Sequence, residues 1–150
     1  MSLGDAFPDA LKKQFTENNL VAGAIIRAWV DNTRPPKVKR FIVIGISQNK
    51  ILLGVVYINS EINLNIFPTQ ELRDLHLKLT ADSREYLTHD SYVDCSRIFQ
   101  LERENINKLL QDDPACHLGT IAKDDLTRIK TVIKGSRTIS IRIKKLFGLF

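Results

Sequence analysis

The chain has little cysteine, and what it has is spaced for no obvious chemistry. Cys95 and Cys116 are the only two, and neither belongs to a CxxC or Cys/His pattern, so zinc-finger and dithiol redox motifs have no support. Two buried free thiols are expected. No stretch approaches the roughly 18 uninterrupted apolar residues of a membrane span, and the N-terminus has no basic-then-apolar leader pattern. The expectation is a cytoplasmic protein without a membrane span. A Gly-rich phosphate loop, GxSxG, HExxH and a carboxylate pair at helical metal spacing are all missing, so no metal or cofactor is expected. Aromatics are few, with one Trp and three Tyr. Trp29, Tyr57 and Tyr92 could stack bases, as on open barrels that bind single strands, or could simply sit in the core.

What is present starts with size and charge. At 150 residues the chain can sustain one core without disulfide or metal staples. The net charge of +5 is unevenly placed. Arg34, Lys37, Lys39 and Arg40 fall in a segment without acids. After Asp125 come Arg128, Lys130, Lys134, Arg137, Arg142, Lys144 and Lys145, again with no acid. Such segregation suits a polyanion or an acidic protein segment as partner, or else forms a solvated face.

Hydropathy patterning divides the chain into three parts. Residues 1–22 read as a helical extension, with Phe7, Leu11 and Phe15 recurring every four residues between Asp5 and Asn18. Residues 23–135 read as a barrel domain. Strands are expected near 23–30, 40–47 and 51–59, the latter two joined by the polar turn Gln48-Asn-Lys50. Leu75-His-Leu-Lys-Leu79 alternates as a fourth strand with His76 facing solvent, and Tyr92 to Ile98 suggests a fifth. A short inserted helix fits 104–110, ended by Gln-Asp-Asp-Pro114. A C-terminal amphipathic helix opens near Ala122, with Leu126, Ile129 and Ile133 on one face. Residues 136–150 form a basic, apolar extension that fits strand and helix equally well: Ile139, Ile141 and Ile143 alternate, while Ile139, Ile143, Leu146 and Phe150 would share a helix face. Arg142, Lys144 and Lys145 oppose that apolar face.

Two segments together resemble a known family. His117-Leu-Gly-Thr-Ile-Ala-Lys-Asp-Asp-Leu-Thr-Arg-Ile-Lys-Thr-Val-Ile133 joins a strand, a Gly-Thr-Ile turn and a helix. It follows His89-Asp-Ser-Tyr-Val-Asp-Cys-Ser-Arg-Ile98, which carries an apolar-x-Asp strand. In this order they resemble the C-terminal half of MazF/PemK-like toxins of toxin–antitoxin systems. Gly23-Ala-Ile-Ile-Arg-Ala-Trp-Val30, Lys39-Arg-Phe-Ile-Val-Ile-Gly-Ile-Ser47 and Leu53-Gly-Val-Val-Tyr-Ile-Asn-Ser60 look like the family's first three strands, with Phe41 where a proline is usual. The resemblance covers about residues 23–133. It implies a mainly β, α+β fold built on a small SH3-like antiparallel barrel, a homodimer, an antitoxin partner, and metal-independent cleavage of single-stranded RNA.

That chemistry needs a cation for the phosphate, a hydroxyl to orient its oxygens and a group that moves protons. The resemblance assigns Arg40 as the cation, its guanidinium fork suiting two phosphate oxygens, and Ser60 as the hydroxyl. His89 is the best placed of three histidines to transfer a proton. Arg34, Lys37, Lys39, Tyr57 and Asn59 would contact RNA, and Asp94 would bond backbone near its turn. The loop Asp31-Asn-Thr-Arg-Pro-Pro-Lys-Val38 departs from the family pattern: it is short, stiffened by Pro35 and Pro36, and has one acid. A catalytically silent module binding nucleic acid or an acidic peptide therefore stands beside the endoribonuclease, and a dimeric scaffold beside both.

Overall fold

The fold is built on three long strands whose consecutive apolar residues are buried on both faces. In the computed structural model, which describes residues 20–31, 33 and 35–150, these are β1 (Ala24–Val30), β2 (Lys37–Ile46) and β3 (Leu52–Asn59). The expected helix at 5–18 lies outside the described residues. Four shorter strands follow: β4 (His76–Leu79), β5 (Ser91–Asp94), β6 (Phe99–Glu102) and β7 (His117–Thr120). All pairings are antiparallel, in the order β4-β5-β3-β2-β1-β7, with β6 also on β3. The sheet curls into a half-barrel, and among the described residues four α-helices accompany it: α1 (Gln70–Arg73), α2 (Arg103–Asp112), α3 (Lys123–Gly135) and α4 (Ile141–Leu146).

Phe41-Ile42-Val43-Ile44 is continuously buried because each sheet face has its own cover. Ile25, Ile42, Ile44, Val56 and Ile58 pack with Ile129 and Ile133 of α3 and with Phe147 and Leu149 beyond α4. Ile26, Phe41, Val43, Val55 and Tyr57 pack with Ile106 and Leu110 of α2. A sheet covered on both sides loses the polar alternation of a half-exposed one.

Several expectations are corrected. Strand β2 starts at Lys37, ahead of residue 40. The strand expected at 92–98 ends at Asp94, and β6 starts only at Phe99, because the Asp94 carboxylate accepts from the Ser96 amide at 2.9 Å and from the Ser96 hydroxyl. That Asx turn redirects the chain, so β5 pairs with the end of β3 and β6 with its beginning. His76 does not face solvent: it is 8 % exposed, with its ring edge-on to Phe67 at 4.2 Å.

The C-terminal segment is helical over Ile141–Leu146, and Ser140 caps it by accepting from the Ile143 amide at 3.2 Å. It ends in a Schellman turn, with Gly148 at φ +72° and bonds from Leu149 N to Lys144 O (2.7 Å) and Gly148 N to Lys145 O (3.2 Å). Lys144 does not join a charged outer face. It is buried, and its ammonium donates to the carbonyls of Lys134 (2.9 Å) and Ser136 (2.8 Å), closing the end of α3. Phe147 and Leu149 are buried within their own chain, whereas Phe150 is exposed.

Candidate functional site

At one end of the β1–β2–β3 surface the apolar packing gives way to charge. Register places Arg27 opposite Arg40, and Arg40 opposite Ile58. Because side chains alternate along a strand, Arg27 and Arg40 lie on the same face as Ile25 and Ile42, one step beyond the core. Trp29 and Val38 are the next pair outward, both exposed. A cleft of about 310 Å³ opens here, lined by Arg27, Val38, Lys39, Arg40, Ile58, Ser60, His89 and Ser91.

The three residues assigned catalytic roles from sequence, Arg40, Ser60 and His89, thus line one cleft although they come from β2, the end of β3 and the loop before β5. Arg27 and Ser91 were missed. Arg27 interrupts the apolar β1 strand at the face shared with Ile25 and Trp29, but only the β1–β2 register reveals that it meets Arg40. Ser91 lies two residues beyond His89, where its side chain bonds back.

The cleft is electropositive and its groups are oriented. Among the described residues neither Arg27 nor Arg40 takes part in an ion pair, and the Nε of Arg40 is buried without a hydrogen-bond acceptor. A buried guanidinium N–H without an acceptor is costly unless an anion completes it. His89 Nδ1 lies 3.0 Å from the Asp90 carbonyl oxygen and 3.1 Å from Ser91 Oγ, and Ser91 Oγ donates to the His89 carbonyl at 3.0 Å. A carbonyl can only accept, so in the neutral ring Nδ1 carries the proton. Nε2 keeps its lone pair and is the atom available for proton transfer.

The other sequence-assigned residues are centred elsewhere, with Lys39 at the boundary. Lys37, Lys39 and Asn59 line a neighbouring cavity of about 810 Å³, and Lys39 and Ser60 are common to both spaces. Lys39 Nζ donates to Asn59 Oδ1 and lies 5.6 Å from the Tyr57 ring centroid. Burial, helped by the neighbouring charge of Lys37, pushes the Lys39 ammonium below its ordinary value against the opposing pull of Asp94. Tyr57 is 4 % exposed and stacked on Phe99 at 4.3 Å. Trp29 and Tyr57 are on opposite faces of the sheet, as their partners Val38 and Phe41 show, so the trio with Tyr92 forms no single platform. Arg34 lies outside the described residues.

The cysteines are free and buried, and desolvation pushes the Cys95 thiol up to about 12. Among the described residues no three His, Cys, Asp or Glu side chains gather as a metal site, and no helix is long and apolar enough to cross a membrane. Compared with models of known families and with curated protein sequences, the chain matches none.

Proposed function

We propose that this chain is a MazF/PemK-like protein of SH3-like barrel type that binds single-stranded RNA at the Arg27–Arg40 cleft and cleaves it without a metal. The observation that carries the proposal is the convergence of Arg40, Ser60 and His89 on one cleft, joined there by a second unpaired arginine. Two guanidinium groups on adjacent strands offer paired donors to the non-bridging oxygens of one phosphodiester. The hydroxyl of Ser60 fixes its orientation.

In the proposed reaction His89 Nε2 takes the proton of the ribose 2′-hydroxyl, and the 2′-oxygen forms a bond to the adjacent phosphorus. The bond from phosphorus to the 5′-oxygen of the next nucleotide breaks, and that oxygen leaves as a hydroxyl after receiving the proton that His89 took up. The products are a 2′,3′-cyclic phosphate and a 5′-hydroxyl end.

A second reading rests on the connection between β1 and β2. It carries Pro35 and Pro36 and only Asp31 as an acid, so the same cleft could grip RNA or an acidic antitoxin segment without cutting. One assay separates the two: incubation of labelled single-stranded RNA with the wild-type protein and Arg40→Ala in excess chelator. The enzyme reading predicts cleavage that falls on the order of 100-fold or more in the variant. The binding reading predicts no cleavage by either, with a salt-sensitive affinity that weakens in the variant.

A further inference from the structure

The larger cavity contains a feature that the cleavage chemistry does not use. The side chain of His76 is 2 % exposed and lines its wall, yet among the described residues neither buried ring nitrogen has a hydrogen-bond partner. Asp94 Oδ1 is 4.0 Å from Nε2, beyond hydrogen-bonding distance, and it is already held by Ser96. A neutral imidazole presents one donor and one acceptor, and leaving both unmet in a buried site is costly. Such a ring is completed by a ligand edge that offers an acceptor and a donor of its own.

The surroundings specify the kind of ligand. Phe99 has Tyr57 stacked 4.3 Å from its centroid with the planes 15° apart, and the Arg97 guanidinium 4.4 Å away. Both cannot occupy one face of the ring, so Arg97 lies over the other, and with Phe67 it lines the cavity. A guanidinium in a cavity wall can serve as a stacking surface for a flat heteroaromatic ring. Lys37 and Lys39 add positive charge at the same cavity, and Lys39, Ile58 and Ser60 form its common wall with the Arg40 cleft. The volume of about 810 Å³ accommodates a nucleotide.

We propose that this cavity selects the base of the nucleotide adjoining the phosphate held by Arg27 and Arg40, with His76 reading the base edge and Arg97 stacking on its face. The proposal rests on the nucleic-acid reading of that neighbouring cleft, and it assigns to a separate set of residues the choice of which base is accepted.

The test is an NMR titration of the full chain, following the ring nitrogens of the histidines, with each of the four ribonucleoside 5′-monophosphates and with ribose 5-phosphate. One or two of the bases should perturb His76 at concentrations at least about tenfold lower than the others, a gap of roughly 1.4 kcal/mol. Ribose 5-phosphate should leave His76 unmoved. His76→Phe keeps the ring but removes both nitrogens, and should abolish discrimination, read at His89. Ile66→Trp alters an exposed residue at the cavity wall, spares the core, and should block the His76 response. Perturbation of His89 with His76 silent for every nucleotide would overturn the base pocket and leave the phosphate cleft standing. Equal perturbation of His76 by all four nucleotides and by ribose 5-phosphate would overturn it in favour of plain anion binding. A base-dependent response at His76 in a protein that cuts no RNA would uphold the pocket and remove the cleavage reaction.

Discussion

Gly54 lies directly beneath the ring of Phe147: a Cβ placed on Gly54 would stand 2.8 Å from the ring's Cγ and Cδ2. Its cross-strand partner Gly45 makes room for the same residue, since a Cβ there would come within 2.7 Å of the Phe147 carbonyl oxygen. Paired glycines on β2 and β3 thus open a slot in the sheet that the C-terminal segment fills. Gly54→Ala should lower unfolding free energy by about 1–3 kcal/mol, the usual cost of overpacking. Phe147→Ala, which empties the slot, should cost about 3–5 kcal/mol. Urea denaturation of both variants measures the difference.

Lys144 is expected to matter through its ammonium and not through surface charge. Lys144→Met preserves the buried stem but strips the donors from the Lys134 and Ser136 carbonyls. A loss of about 1–3 kcal/mol follows from leaving those acceptors unmet, and amide exchange in the last turn of α3 should accelerate.

The N-terminal end of α3 is tied down by a second contact. Arg84 clasps Asp125 with Nε to Oδ2 and Nη2 to Oδ1, both at 3.0 Å, and its Nη1 reaches the Thr80 carbonyl at 3.0 Å. Asp125→Asn keeps the shape and removes the charge. It should destabilise the protein by about 1–3 kcal/mol, as expected for charge-assisted bonds, with the loop 80–90 becoming more accessible to protease.

Stability should also depend on the protonation of His76. Desolvation pulls this imidazole below its ordinary value of 6.5, and Asp94 opposes only part of that pull. The unfolded chain therefore takes up the proton first as pH falls. Stability linked to His76 is fully present above about 6.5, declines as pH drops through that value, and levels off below the lowered native value. Urea midpoints measured from pH 7.5 downwards should show the decline in the wild type, and His76→Phe should flatten that component.

Much of the architecture is legible in the sequence, and the losses have physical causes. The three long strands follow from apolar runs bounded by polar turns, and Leu126, Ile129 and Ile133 mark the inner face of α3. The split at Asp94 is hidden because one side chain turns the backbone inside a run of strand-forming residues. His76 misleads because alternation cannot say which face another segment will cover, and Phe67 covers it. The state of residues 136–150 depends on the slot formed by Gly45 and Gly54, far away in sequence. Arg40, Ser60 and His89 could be singled out one by one, whereas Arg27 needed the pairing of β1 with β2 before it could be placed beside Arg40.

The central claim, cleavage at the Arg27–Arg40 cleft by the RNA's own 2′-hydroxyl, is tested most directly with two versions of one cleavable oligonucleotide in excess chelator. One is all-ribose, and the other carries a single 2′-deoxy substitution at the mapped scission point. Mass spectrometry of the products should show a 2′,3′-cyclic phosphate and a 5′-hydroxyl from the first, and an intact second strand that still binds. Cutting of the deoxy-substituted strand at the same bond, or an all-ribose strand left whole at every protein concentration, would contradict the account.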